Sequence, residues 1–129
     1  MMLYGMAYLA SPYSHKLEHV REQRYKETIK FLGLAIKDPV LRELFVYSPI
    51  AVWHNVAQLY DLPKGADWWH AQNIREMNKA DYLFVLDLDG WRESVGVNLE
   101  LEFARRAQFP IYLVTPKYES SEVILCPIS

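Results

Sequence analysis

Cysteine is nearly absent from this chain: Cys126 stands alone among 129 residues. No internal disulfide is possible, so the fold must come from burial, and a lone thiol fits a reducing compartment. Glycine is scarce as well, with five residues, and neither G-x-G-x-x-G nor G-x-x-x-x-G-K-[ST] occurs. Without such a turn, a dinucleotide enzyme or a P-loop ATPase is not indicated. Basic runs stop at Arg105-Arg106 and the net charge is -2, which leaves no electrostatic footprint for a nucleic acid. The apolar opening, "MMLYGMAYLASPY", is too short to span a bilayer, and no Lys or Arg precedes Lys16, so a buried strand is expected there rather than a signal peptide. His54 and His70 lack Cys or carboxylate partners at ligand spacing, which argues against a metal. These absences lead to the expectation of a cytoplasmic protein with no cofactor and neither a nucleic-acid nor a membrane partner.

What is present is a large apolar fraction, 51%, with 14% aromatics, enough at this length for one well-cored domain over residues 1–129. Tyr4 to Ala10 is a continuous apolar run closed by Ser11-Pro12, the pattern of a strand buried on both faces. A charged helix is expected from Lys16 to about Ala35, then a helical turn and a strand around Leu44 to Tyr47. Ile50 to Tyr60 reads as a helix, Leu62-Pro63-Lys64-Gly65 as a break, and Asp67 to Lys79 as a further helix. "DYLFVLDL" is the clearest strand. A helix after Gly96 and the strand "PIYLVT" follow, and "EVILC" is an edge strand or an arm laid on a neighbour. "VWHNVAQ" and "WWHAQN" echo each other over too few residues to form a repeat. Strands alternating with helices predict an α/β, Rossmann/flavodoxin-like three-layer sandwich with a parallel sheet of four to five strands. Ligands of such sheets bind outside the carboxyl ends of the strands, which singles out "SPYSH" and "DLDGWRESVG".

The helix after Gly96 poses a chemical question. Glu100 and Glu102 lie roughly 160° apart around its axis. Glu102 shares an arc with Asn98, Arg105 and Arg106, whereas Glu100 falls among Val97, Leu99, Leu101, Phe103, Ala104 and Ala107. A carboxylate on an apolar face at the mouth of a cleft can serve as nucleophile or base; it can also be a rim glutamate paired with Arg75 or Arg92. The two loops add the hydroxyls of Ser11, Tyr13, Ser14 and Ser94 and the imidazole of His15. Ser94 can cap the helix, and a capped N-terminus approached past Gly96 is an anion site.

"YLASPYS" together with "DGWRESVGVNLELEFA" resembles the nucleoside 2-deoxyribosyltransferase superfamily. The shared signature is Ser or Asp, any residue, Gly, three residues, Glu, and Ala four residues later, here Ser94, Gly96, Glu100 and Ala104. The serine form is similar to the 2'-deoxynucleoside 5'-monophosphate N-glycosidases, and the wording "PYSH" and "GW-x-x-S-x-G" is closer to an uncharacterised bacterial and phage branch. The resemblance implies that Glu100 attacks the anomeric carbon of a 2-deoxyribosyl group, held and polarised by the Tyr8 hydroxyl. It also implies that Ser94, with some of Ser11, Ser14 and His15, holds a 5'-phosphate. The chain departs from the pattern in having Ser11-Pro12 where glycine is frequent, and no arginine within the first loop. The family's base-contacting aspartate has candidates in Asp67 and, nearer the expected position, Asn73. Asp87 and Asp89 are candidates for orienting the sugar or protonating the base, and Trp91, Trp68 or Trp69 for walling a base pocket. The expected partner is a nucleoside or nucleotide, and a homodimer or larger homo-oligomer is expected from the aromatic stretch Tyr47 to Trp69 and from the family's shared sites. The competing expectation is a nucleotide-binding module on the same fold that performs no chemistry.

Overall fold

The structure, a computed structural model, describes residues 2–63 and 66–129. Lys64 and Gly65, half of the expected break, lie outside the described residues. The elements run β1 (Gly5–Ala10), α1 (Glu18–Ala35), β2 (Leu44–Tyr47), α2 (Pro49–Tyr60), α3 (Ala66–Met77), β3 (Tyr82–Leu86), α4 (Val95–Ala107), β4 (Ile111–Lys117) and β5 (Glu122–Ile128). One sheet holds all five strands in the order β2-β1-β3-β4-β5, the 2-1-3-4-5 arrangement of doubly wound sheets.

Alternation along the central strands creates two cores. Ala7 and Leu9 of β1, with Phe84 and Leu86 of β3, point to the face covered by Phe31 and Ala35 of α1. Tyr8 and Ala10, with Leu83 and Val85, point to the other face, covered by Met77 of α3 and by Val97, Leu101 and Ala104 of α4. A strand apolar at every position therefore has a helix layer on each side, as the unbroken runs in β1 and β3 require.

The sheet is mixed, which corrects the expectation of a parallel one. β1–β2, β1–β3 and β3–β4 are parallel, and β5 runs antiparallel to β4 from Ile111↔Ile128 to Lys117↔Glu122. The cause is the length of the connection. Residues 118–121 make a tight turn with Ser121 at φ 57°, and a parallel return would need a crossover of about a dozen residues or more. "EVILC" is thus an edge strand of this chain. Asp38, 3% exposed after α1, anchors it: its Oδ1 accepts the Val40 and Leu41 amides and its Oδ2 accepts the Val123 amide at 2.9 Å.

Local signals fix the helices that matter for function. Ser48 caps α2 by accepting the Ala51 amide, Pro49 occupies the first turn, and Asp61 closes the helix in the left-handed region. Ser94 caps α4 by accepting the Val97 amide at 3.2 Å, and Arg105 and Arg106 sit in its last turn, where cations suit the helix dipole. The order reverses between β1 and β3, since β1 leads outward to β2 and β3 leads to β4 on the opposite side. The loops that leave these two strands define the end of the sheet where ligands bind.

Candidate active site

Glu100 sits on the second turn of α4, facing the sheet. It is 7% exposed, between buried Val97, Leu101 and Ala104, while Glu102 points outward and pairs with Arg106. The rim partners Arg75 and Arg92 are not what meets it. Across the gap to β1, the fully buried Tyr8 hydroxyl donates a short hydrogen bond to Glu100 Oε2. Tyr8 reaches it because alternation sends residue 8 to the α4 face. Burial pushes the Glu100 carboxyl up to about 8, and the Tyr8 hydrogen bond pulls the other way. Burial, followed by the nearby Glu100 charge, holds the Tyr8 phenol well above its ordinary value, so it remains a neutral donor.

Glu100 forms part of the lining of a cleft whose empty space, open mouth included, is about 700 Å³. Ser11, Tyr13 and Ser14 contribute from the loop after β1, and Ser94 and Gly96 from the start of α4. Behind the first loop stand two arginines that loop spacing alone does not reveal. Arg21 Nη1 donates to the His15 carbonyl, and Arg24 Nη1 donates to the Ser14 carbonyl at 3.0 Å. Arg24 also spans to the loop after β3. Gly90 there adopts φ 93°, a backbone conformation that favours glycine, and a Cβ on it would lie 2.6 Å from Arg24 Nη2, the mobile end of a long side chain. Both arginines of α1 thus brace the backbone of the first loop, and neither lines the cleft.

The remaining wall comes from α2 and α3. Ile50, Trp53, His54 and Ala57 line it from α2, and Trp69, His70 and Asn73 from α3. The indoles of Trp53 and Trp69 meet with ring centroids 6.0 Å apart. The two echoing stretches are therefore the two sides of one wall. A family model described as a domain of unknown function, DUF1937, matches residues 5–115. The chain belongs to that family. The match runs from β1 into β4 and takes in every residue named in the cleft. No curated protein matches the chain.

His15, Asp67, Asp87, Asp89 and Trp91 do not line the cleft. His15 turns its Nδ1 to the Leu17 amide, opening α1 rather than facing the pocket. Asp67 is exposed in the first turn of α3, and Asn73, two turns on, takes the place facing inward. Asp87 is exposed and accepts the Thr115 hydroxyl at 3.0 Å, bracing β3 against β4. Asp89 is exposed in the turn after β3. Trp91 packs on the core beneath α4, with the Arg92 guanidinium 4.8 Å from its ring centre. Of the indoles considered for a base wall, Trp69 lines the cleft and Trp68 packs edge-on against it at 4.6 Å. The sequence assigns no site role to Trp53, Ile50, His54 or His70; the short echo carries Trp53, His54 and His70, and no signal points to Ile50. Among the described residues, no group of three His, Cys, Asp or Glu side chains comes together in a way that could hold a metal ion, and no helix is long and apolar enough to cross a membrane.

Proposed function

We propose that this chain cleaves or exchanges the N-glycosidic bond of a (deoxy)nucleoside or nucleoside monophosphate, with Glu100 as nucleophile. The observation that carries the reading is the Glu100–Tyr8 pair, a carboxyl buried among apolar side chains at the switch point of the sheet and held by a neutral phenol. A purely structural glutamate gains nothing from that position, because burial opposes its charge. Tyr8 engages Oε2, which leaves Oε1 for the anomeric carbon. Attack forms a glycosyl ester as the base departs, and water or a second base then releases the sugar, the route of retaining glycosidases. Trp53, Trp69, Ile50 and Ala57 offer an apolar wall for the base, and Asn73 a hydrogen-bonding edge. The resemblance of "YLASPYS" and of the Ser94–Gly96–Glu100–Ala104 spacing to the nucleoside 2-deoxyribosyltransferase superfamily supports the same chemistry. Incubating the protein with a panel of deoxynucleosides and their 5'-monophosphates should release free base from at least one of them. No release from any member of the panel would remove the hydrolytic and transfer readings together.

A nucleotide-binding module without chemistry is the second reading, and one observation favours it. A carboxyl pushed up to about 8 is mostly protonated at neutral pH and can act as a plain hydrogen-bond donor. The two readings differ in pH dependence. A nucleophile must be ionised, so kcat/KM for base release should climb as pH rises toward about 8.

The capped N-terminus of α4, with Ser11 and Ser14 opposite, is the proposed seat of a 5'-phosphate. Ser94 accepts the Val97 amide and still has its own O–H to donate. Ser94→Ala should weaken a monophosphate about tenfold or more and barely affect the unphosphorylated nucleoside, since a hydrogen bond to a charged group is worth about 1.5–3 kcal/mol. Equal losses for both ligands, measured by calorimetry, would reduce Ser94 to a cap.

We propose further that the chain works as a homodimer or larger homo-oligomer. Phe45, Leu59, Tyr60 and Trp68 are 62%, 79%, 75% and 43% exposed, a costly set of side chains to leave in water. Light scattering at micromolar concentration should give at least twice the 15.2 kDa chain mass.

A further inference from the structure

Cleaving an N-glycosidic bond requires more than a nucleophile, because a nucleobase leaves poorly as an anion and must take up a proton as it departs. Among the described residues lining the cleft, the groups able to carry a proton are Glu100, Tyr13, His54 and His70, and Glu100 is the only carboxyl. With Asp67, Asp87 and Asp89 away from the cleft, the acid has to be sought elsewhere in the wall.

Three side chains from three different elements form a continuous chain of hydrogen bonds there. Tyr13, in the loop after β1, shares a hydrogen bond of 2.7 Å between its hydroxyl and His54 Nδ1. His54, 3% exposed on α2, is bonded through Nε2 to Glu22 Oε2 of α1, again at 2.7 Å. The imidazole is clamped in plane by Tyr25, stacked at 4.0 Å and 16°, with Tyr13 edge-on at 5.5 Å. The two ends of the chain have different surroundings. Glu22 has a side chain 41% exposed to solvent, whereas the Tyr13 hydroxyl belongs to the cleft wall. Burial raises the Tyr13 phenol above its usual value, with Arg21 opposing and Glu22 adding to the effect, so its proton is in place in the resting pocket. Neutral His54 with its Nε2 proton on Glu22 accepts the Tyr13 hydroxyl proton, whereas doubly protonated His54 donates to the Tyr13 oxygen and turns the hydroxyl proton toward the ligand.

We propose that Tyr13 protonates the departing base, with His54 and Glu22 as positioning residues: His54 returns a proton to Tyr13, and Glu22 holds the imidazole. The inference rests on the N-glycosidase reading above. In the first half-reaction the carbon–nitrogen bond breaks and its electron pair goes to the base. The Tyr13 proton moves to the base, His54 returns a proton to Tyr13, and Glu100 forms the bond to the anomeric carbon. In the second half, water attacks that carbon, Glu100 leaves as a carboxylate, and the proton of the water passes through Tyr13 back to His54. The net change is nucleoside plus water giving base plus sugar. His70, whose Nδ1 is buried without a hydrogen-bond partner, is the rival acid, but that nitrogen has no hydrogen-bonded neighbour to return a proton to it.

Leaving-group dependence tests the assignment. The probes are a deoxynucleoside that the wild-type protein cleaves and 4-nitrophenyl 2-deoxyriboside, whose phenolate leaves without a proton. Tyr13→Phe should slow base release by about 100-fold or more and nitrophenol release by less than about 5-fold, the signature of a lost general acid. His54→Gln should show the same selectivity with a smaller loss. Equal losses on both probes in Tyr13→Phe would make Tyr13 a structural or binding group and overturn the relay while leaving the glycosidase reading intact. Selective loss in His70→Gln in place of Tyr13→Phe would transfer the role to His70. A wild-type protein that cleaves neither the nitrophenyl glycoside nor any deoxynucleoside or deoxynucleoside 5'-monophosphate would overturn the glycosidase reading, and the relay with it.

Discussion

Glutamine in place of Glu100 should abolish base release, by a factor on the order of a thousand or more, while leaving the protein folded. The amide has the shape of the carboxyl and can still accept the Tyr8 hydroxyl, so the packing around α4 has no reason to change. It lacks the anionic oxygen that must attack the anomeric carbon. Glu102→Gln, on the exposed face, removes only a surface pair with Arg106 and should retain wild-type turnover. Intact-mass analysis after reaction with a 2-fluoro-2-deoxyribosyl substrate should place the trapped sugar on the peptide carrying Glu100. A Glu100→Gln protein that releases base at the wild-type rate would leave the binding-module reading in place.

The same substitution should have a large and oppositely signed effect on stability. The folded protein holds the Glu100 proton up to about pH 8, whereas the unfolded chain releases it near the ordinary carboxyl value of 4.5. Between those limits the folded state binds one more proton than the unfolded state, so stability falls as pH rises, by about 1.4 kcal/mol per unit from this group. The contribution is fully present below the unfolded value and is lost as pH passes through the folded one. Glu100→Gln removes the titration. In denaturant melts from pH 4 to 9, the variant should therefore gain on the wild type as pH rises, by several kcal/mol in all, and the difference should level off above about pH 8. A difference independent of pH would mean that Glu100 is ionised throughout.

How far the sequence foretold this arrangement depended on whether a feature was local. The apolar run of β1, the Ser94 cap and the placement of Glu100 against Glu102 are matters of period and neighbouring residues, and the structure agrees with each. The sense of β5 depends on a four-residue connection, which a strand pattern alone does not weigh. The cleft wall was hidden for a different reason. Trp53 and His54 are distant in sequence from Ser94 and Glu100, and only the docking of α2 and α3 at the strand ends brings them together. Aspartates in the turn after β3 looked like site groups because they are near Glu100 in sequence. In space, Asp87 faces β4 and Asp89 faces solvent.

The way the cleft is assembled divides its labour along the chain. The groups proposed to break the bond and hold the phosphate come from β1, its following loop and the start of α4, all tied to the central sheet. Nearly everything facing the proposed base comes from one stretch, residues 49–73, the helix pair α2 and α3. Changes within that stretch can reshape what is recognised while the reacting carboxyl and its phenol stay where the sheet holds them. On the proposed reading, substrate range and chemistry can thus drift separately, since different stretches of the chain supply them.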